Sequence, residues 1–212
     1  MDGEVVSRII SGSAKGRRLA TPKGDATRPT TDRTREALFS ALVSWFDATG
    51  AAPGEQLSGI AVLDLFAGSG AVGLEAASRG ADPVVLVEAD RPTMKLIEHN
   101  ARTLGLRAEV RAVKADVAAS SPGRRFDLVF LDPPYDVATD AIEDLLVALS
   151  VSAVAPRGLV VVERSSRDRA PSWPAEFTDT WERRYGETTL YYGSVGGGEG
   201  VVSPQSSHKE SP

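Results

Sequence analysis

Residues 64–73 read DLFAGSGAVG, and this stretch decides which fold the chain can adopt. The apolar run Ile60–Phe66 predicts a buried strand that leads into it, and Ala71–Arg79 predicts a helix that follows it. Its three glycines have the spacing G-x-G-x-x-G, which allows a tight turn and lets a ligand approach the backbone closely. The stretch therefore predicts a strand–turn–helix unit with a ligand site at the carboxyl end of the strand.

Strands and helices alternate on the carboxyl side of this unit, which predicts a parallel sheet with helices on both faces. The chain ends differently, because Phe177–Arg184 and Thr188–Tyr192 flank a turn and predict an antiparallel hairpin. The predicted fold class is therefore α/β, with a seven-stranded, mostly parallel sheet. The remaining predicted elements are the strands Pro83–Val87, Ala108–Val113, Phe126–Leu131 and Gly158–Glu163 and the helices Pro92–Leu104 and Ala138–Leu149.

The segment before the sheet has a pattern of its own. The β-prone runs Val5–Ile10 and Arg17–Thr21 surround a turn sequence and predict a β-hairpin. A helix is expected to begin at Thr31 or Asp32, because apolar pairs recur there at every fourth residue. The last residues are rich in glycine, serine and proline, which predicts disorder. The predicted divisions are an N-terminal extension (1–46), a main domain (47–193) and a disordered tail (194–212).

Charge is distributed unevenly along the chain. The net charge is −5, but residues 7–35 hold eight basic and two acidic residues, so this segment carries +6 and the rest carries −11. The asymmetry favours an anion-binding segment over the alternative of a solvated basic surface. The candidates for contact with a polyanion are Arg8, Lys15, Arg17, Arg18, Arg28, Arg33 and Arg35.

Composition excludes several classes of protein. The absence of cysteine excludes disulfides, a thiol nucleophile and cysteine-ligated metal sites, and with two histidines we expect no metal site. No apolar run reaches the ~18–20 residues of a membrane helix. The N-terminus lacks the basic-then-apolar pattern of a signal peptide. We therefore expect a soluble, cytoplasmic protein with no membrane partner.

Acidic residues near the glycine turn indicate what it binds. Glu88 ends the next predicted strand, twenty residues after Gly68, where a carboxylate can accept hydrogen bonds from both hydroxyls of a ribose. Asp64 favours a cationic ligand such as S-adenosylmethionine over the anionic pyrophosphate of NAD. Asp116, expected in a loop after the third strand, could accept from an adenine amino group while Val117 packs on the ring.

The tetrad Asp132–Tyr135, Asp-Pro-Pro-Tyr, directly follows the predicted strand Phe126–Leu131. Consecutive prolines make the loop rigid and remove two N–H donors. The Asp132 side chain and the Pro133 carbonyl can accept both hydrogens of one NH2 group, and Tyr135 offers a flat face to a planar base. Two such acceptors favour a tetrahedral nitrogen, whose lone pair is otherwise delocalised into the base. The tetrad therefore predicts transfer of a sulfonium methyl group to the amine of an unpaired or flipped base.

Both motifs resemble those of Rossmann-like class I amino-methyltransferases, and residues 7–193 resemble the RsmD-like enzymes more closely. These are bacterial enzymes that methylate N2 of a guanine in small-subunit ribosomal RNA. The resemblance implies S-adenosylmethionine as the cofactor and 16S rRNA, within an assembling or assembled 30S subunit, as the partner; we expect a monomer. The blocks that carry it are Gly16–Leu19, Arg28–Phe39, Leu63–Gly70, Ser78–Ala81 and Tyr185–Gly186.

The resemblance also implies roles for individual residues. Residues at and near the glycine turn would contact the methionine end, the ribose and the adenine of the cofactor. The tetrad would hold the guanine amine. The Arg28–Phe39 block would cover the cofactor pocket and face the RNA. The implied cofactor-binding residues are Asp64, Phe66, Gly68, Gly70, Glu88, Ala89, Asp116 and Val117. The implied catalytic residues are Asp132, Pro133, Pro134 and Tyr135.

Three other functions share part of this pattern. A DNA adenine-N6 or cytosine-N4 methyltransferase would use the same tetrad, but no recognisable DNA target-recognition domain fits in the chain. An NAD-dependent oxidoreductase would share the glycines and Glu88, but no segment supplies a substrate domain. A non-catalytic RNA-binding or assembly factor would need the basic segment and not the tetrad.

Overall fold

The computed structural model describes residues 7–22 and 32–196. Within these ranges the chain forms five helices and seven strands. The helices are α1 (Asp32–Trp45), α2 (Ala71–Ser78), α3 (Arg91–Leu104), α4 (Ala115–Ser120) and α5 (Thr139–Ser152). The strands are β1 (Val62–Asp64), β2 (Val84–Val87), β3 (Glu109–Arg111), β4 (Phe126–Leu131), β5 (Val154–Ser165), β6 (Phe177–Tyr185) and β7 (Thr188–Val195).

All seven strands form one sheet in the order β3-β2-β1-β4-β5-β7-β6. The strands β1 to β5 are parallel, whereas β7 is antiparallel to both β5 and β6. The predicted fold class is therefore confirmed, including the hairpin at the end of the sheet. The chain runs outward from β1 to β3 and then returns to β4 on the other side of β1. Ligands of open α/β sheets bind in the crevice at such a reversal of strand order.

The sheet separates two apolar layers. On one face, α1, α2 and α3 pack against the strands together with Ile9 and Leu19 from the N-terminal segment. On the other face, α4 and α5 cover the strands. The central strands are apolar and buried on both faces, as expected for a parallel sheet that is covered on both sides. Among the described helices, none combines the length and the apolar character needed to cross a bilayer.

The structure corrects two predictions. The sequence did not predict α4, whose buried Ala118 and Ala119 pack under the second layer. Asp116 and Val117 therefore lie in the first turn of a helix and not in a loop; six residues are too few for a clear helical period. At the other end, β7 runs through Val195, so the sheet includes residues that the sequence assigned to the tail. Residues 197–212 lie outside the described residues.

The described part of the N-terminal segment contains part of the predicted hairpin. Within residues 7–22, its two arms meet in an antiparallel bridge between Arg8 and Arg18. The amide of Leu19 donates to the Ser7 carbonyl at 2.8 Å, and the amide of Ile9 donates to the carbonyl of Arg17 at 2.9 Å. Residues 1–6, which include the first part of the predicted hairpin, lie outside the described residues.

This segment is fixed by side chains of α2. The buried carboxylate of Glu75 accepts hydrogen bonds from the amides of Ile10 at 2.6 Å and Ser11 at 3.0 Å, and it is paired with Arg79 at 2.8 Å. Ser78 accepts from the amide of Ala14 at 2.9 Å. The N-terminal segment is therefore held against the helix that follows the glycine turn.

Candidate active site

The glycine turn has the close geometry that its sequence predicts. Gly68 and Gly70 have φ values of +53° and +82°, a region that favours glycine. Gly70 is the N-cap of α2. A Cβ atom on Gly73 would lie 2.7 Å from Cδ2 of Leu86, so this glycine lets α2 approach β2 closely. The turn therefore presents bare backbone at the carboxyl end of β1.

Asp64 ends β1 directly beneath this turn, and its side chain is buried. Its Oδ2 atom accepts a hydrogen bond from the amide of Gly73 at 3.1 Å, whereas Oδ1 accepts none from any residue that the structure describes. Burial is the main cause that raises the pKa of Asp64 to about 7; the Gly73 hydrogen bond opposes this shift, and the charges of Asp132 and Glu88 add to it. A buried carboxylate with an unsatisfied oxygen and acidic neighbours favours a cationic ligand.

Glu88 lies beside the turn, as the sequence predicts. Its Oε2 atom accepts from the amide of Gly68 at 3.1 Å, and its Oε1 atom accepts from the amide of Asp90 at 2.8 Å. These two hydrogen bonds orient the carboxylate at the end of β2. Each carboxylate oxygen keeps a second lone pair, which can accept from a hydroxyl group of a ligand.

The other predicted cofactor residues line the same edge of the sheet at different depths. Phe66 is half-buried against the second apolar layer, and Ala89 is exposed after β2. Asp116 is exposed in the first turn of α4, next to Val117, whose side chain is 52% exposed. An exposed valine beside an exposed carboxylate is a surface on which a planar, amine-bearing ring can pack.

The proline tetrad follows β4, which is paired with β1. Asp132 is half-buried, and its charge acts on Asp64, so the structure brings these two predicted residues together. Pro133 is buried, Pro134 is exposed and Tyr135 is 65% exposed. The tetrad and the glycine turn therefore lie on neighbouring strands of one edge.

The prediction that Arg35 contacts RNA is wrong. Its side chain is fully buried and donates hydrogen bonds to Ser7 Oγ at 3.0 Å, to the Arg8 carbonyl at 2.6 Å and to Asp32 at 2.8 Å. Burial lowers the pKa of its guanidinium, and the charge of Asp32 opposes that shift. Arg35 therefore joins α1 to the N-terminal segment.

The remaining basic candidates differ in their surroundings. Lys15, Arg18 and Arg33 are exposed. Arg8 is exposed and pairs with Asp32 at 3.1 Å. Arg17 donates to the carbonyls of Thr103 and Leu104, the last residues of α3, so part of its hydrogen-bonding capacity is used within the chain. Arg28 lies outside the described residues.

Sequence reasoning missed a buried residue that joins the basic segment to the glycine turn. The Nδ2 atom of Asn100 donates to the carbonyls of Ala20 and Ser69, both at 2.9 Å, and Oδ1 accepts from the amide of Ala20 at 2.9 Å. Asn100 is 80 residues from Ala20 and 31 from Ser69, so no local pattern could have indicated this contact.

Comparisons with known proteins find relatives over most of the chain. Residues 7–194 match the family model described as conserved hypothetical protein 95. The chain is 34% identical over 175 residues to ribosomal RNA small subunit methyltransferase D of Escherichia coli K12, which covers 81% of each protein. A solved structure of a hypothetical protein of Thermus thermophilus superposes with a TM-score of 0.70 at 32% identity, over 89% of this chain and 98% of that one.

A further solved structure shares the fold. It is the Thermus thermophilus 16S rRNA N2 G1207 methyltransferase RsmC in complex with AdoMet and guanosine, with a TM-score of 0.64 at 22% identity. The match covers 90% of this chain and 49% of RsmC.

Proposed function

The chain belongs to the RsmD family, and on that premise we propose that it is an S-adenosylmethionine-dependent methyltransferase that modifies the exocyclic N2 amine of a guanine in 16S rRNA. The observation that carries the proposal is the position of Asp132 and the rigid tetrad at one edge of the sheet, beside Asp64, whose buried carboxylate favours a cationic ligand. The first motif suits a cationic cofactor, and the second suits an amine.

The residues at the glycine turn fit this cofactor. S-adenosylmethionine supplies a methyl group on a cationic sulfur and also carries an α-ammonium group. Asp64, Gly68 and Gly70 would hold its methionine end, with Asp64 acting directly or through a water molecule. Glu88 would accept from the ribose, and Asp116 with Val117 would hold the adenine. Phe66 and Ala89 would complete the cofactor-binding edge of the sheet.

The acidic edge argues against the NAD alternative. Asp132 and Glu88 lie close enough to Asp64 for their charges to raise its pKa. A pyrophosphate would add two negative charges to this group of carboxylates, whereas a sulfonium and an ammonium relieve their repulsion.

The tetrad would act on the guanine amine. Asp132 and the Pro133 carbonyl would accept from its two hydrogens, which localises the nitrogen lone pair, while Pro134 keeps the loop rigid and Tyr135 packs on the base. The amine loses its proton only after it has taken up the methyl group, so Asp132 need not be a strong base. Positioning and electrostatics therefore supply most of the rate enhancement.

The RNA would meet the exposed cations of the N-terminal segment. Lys15, Arg18 and Arg33 are exposed on the chain that Asn100 joins to the glycine turn. Arg8 and Arg28 belong to the same basic stretch. The target guanine must be unpaired or flipped to enter the site. The substrate is 16S rRNA within an assembling or assembled 30S subunit, and the enzyme acts as a monomer.

The test is transfer of a labelled methyl group to 30S subunits from a strain that lacks the gene, followed by nucleoside analysis. We expect N2-methylguanosine at one position and no incorporation into duplex DNA. Asp132→Ala, which removes the acceptor, should lower kcat at least a hundredfold and change the Kd of S-adenosylhomocysteine less than threefold. Asp136→Ala, the same change at an exposed acid of the same loop, is the control and should keep kcat. A methyl group on another atom, or an active Asp132→Ala variant, would overturn the proposal.

A further inference from the structure

Arg164 occupies an unusual position in β5. Leu159–Val162 of this strand are apolar and buried, and the two charged residues that follow them, Glu163 and Arg164, are buried as well. Val162 is paired with Leu131, the last residue of β4, so Arg164 lies two residues beyond the point where β4 ends and the tetrad begins. A buried guanidinium is costly unless it is paired and hydrogen-bonded, so its contacts indicate what it does.

Two of those contacts use the same nitrogen. Nη2 of Arg164 donates to the carbonyl of Val137 at 3.0 Å and pairs with Asp168 Oδ2 at 2.9 Å. Asp168 is itself held in a turn, because its amide donates to the Ser165 carbonyl at 3.0 Å. The counter-charge is therefore supplied by the turn after β5, and the other hydrogen of Nη2 reaches the loop after β4.

The bond to Val137 acts on the end of the tetrad. The amide of Val137 donates to the Pro134 carbonyl at 3.0 Å, which closes a turn with Tyr135 and Asp136 at its centre. Val137 is thus bound on both sides, by Pro134 through its amide and by Arg164 through its carbonyl. The paired strand β4 fixes the other end of the loop, so Arg164 supplies its second anchor.

Stability alone does not account for the choice of arginine. Its Nε atom is buried and has no hydrogen-bond partner among the described residues. A buried donor without a partner costs stability, and an apolar side chain at this position would avoid that cost. Buried donors without a hydrogen-bond partner are typical of positions that serve a function at a cost in stability.

We propose that Arg164 is a positioning residue, which holds the Pro134–Val137 turn and so orients Tyr135 and the tetrad toward the substrate amine. This inference rests on the proposed methyl transfer and extends it to a residue outside both motifs. Arg164 acts through the Val137 carbonyl, and its role is therefore in the orientation of the loop.

The chain offers a matched control. Like Arg164, Arg125 donates to backbone carbonyls, those of Val154 at 2.6 Å and Val151 at 3.0 Å, but it does so at the opposite end of the strands, where β4 and β5 begin. Replacing either arginine removes a guanidinium that binds backbone carbonyls. Only Arg164 is expected to affect the tetrad.

The experiment measures kcat on 30S subunits, the KM for those subunits and the Kd of S-adenosylhomocysteine. Arg164→Met should lower kcat at least tenfold, because small displacements of a reacting group are costly. Arg164→Lys, which keeps a cationic donor, should stay within threefold of the parent. Both variants should bind S-adenosylhomocysteine within threefold of the parent, and Arg125→Met should keep kcat. If Arg164→Met does not fold, Asp168→Asn takes its place, with an expected loss of threefold or more.

A second readout does not depend on activity. Chymotrypsin cuts after tyrosine, and Tyr135 is 65% exposed, so we expect loss of the second anchor to speed cleavage at Tyr135 at least fivefold in Arg164→Met and not in Arg125→Met. If the parent protein fails to methylate 30S subunits, the proposed function falls, and the cleavage rates still decide whether Arg164 holds the turn. Unchanged kcat and cleavage in the tested variant, no rescue by lysine, or a loss of cofactor affinity as large as the loss of kcat would overturn the inference.

Discussion

Replacing Asp64 by asparagine should make the protein more stable at neutral and alkaline pH and should weaken cofactor binding. The substitution keeps the size of the side chain and removes its charge. The amide oxygen can still accept from Gly73, and the buried carboxylate no longer has to be ionised beside Asp132 and Glu88. The stabilisation and the loss of affinity have the same cause, which is the removal of a buried negative charge.

The magnitude follows from the pKa. Asp64 has a pKa of about 7 in the folded protein against 3.8 for an ordinary aspartate. Between these values the folded state binds more protons than the unfolded state, so the free energy of unfolding falls as the pH rises through this window. Above pH 7 the full cost is present, about 4 kcal/mol for a pKa that is raised from 3.8 to about 7. The Asp64→Asn variant should therefore match the parent protein near pH 4 and exceed its stability by about 4 kcal/mol at pH 8, roughly ten degrees in Tm.

The assay is urea unfolding of both proteins at pH 5, 6, 7 and 8, together with titration of S-adenosylhomocysteine. Asp127→Asn is the control for the substitution itself, because Asp127 is half-buried and accepts the amide of Ala61 at 2.9 Å. We expect affinity for S-adenosylhomocysteine to fall at least tenfold in Asp64→Asn and, in the parent protein, to weaken as the pH falls below 7. A stability difference that is equal at pH 5 and pH 8, or an asparagine variant that is less stable at pH 8, would refute the reasoning.

Two further outcomes follow from the packing of the described residues. Arg18→Ala should lower the slope of log K for RNA binding against log salt concentration by about one. Arg35→Ala should leave that slope unchanged and lower the free energy of unfolding by about 3 kcal/mol, because it leaves buried partners unpaired. A changed slope for Arg35→Ala would contradict its structural role. Gly73→Ala should cost about 1–3 kcal/mol in urea unfolding, because its Cβ would overlap Leu86, and Gly50→Ala, which meets open space, is the control that should not.

The central part of the sheet could be predicted from the sequence because β1, β2 and β4 are apolar runs and the turns carry glycine or proline. The contacts between elements could not, since Glu75 and Asn100 bind residues more than sixty positions away. Arg35 is a different case. It lies three, four and seven residues before Leu38, Phe39 and Leu42, which are all buried, so the helical period places it on the buried face of α1. Its membership of a basic stretch outweighed that signal in the prediction.

The basic N-terminal segment and the acidic crevice at the glycine turn would act in opposite ways on an RNA. On the proposed function, the exposed cations Lys15 and Arg18 would attract the phosphate backbone, whereas Asp64 and the acids around it would repel a phosphate that approaches the crevice. A nucleobase carries no net charge, so it can cross from the first surface to the second when the backbone cannot. Asn100 joins the two surfaces through Ala20 and Ser69, which keeps the basic segment at a fixed distance from the turn. Electrostatic repulsion would therefore select the flipped base over its own phosphate, before the tetrad makes any contact with the amine.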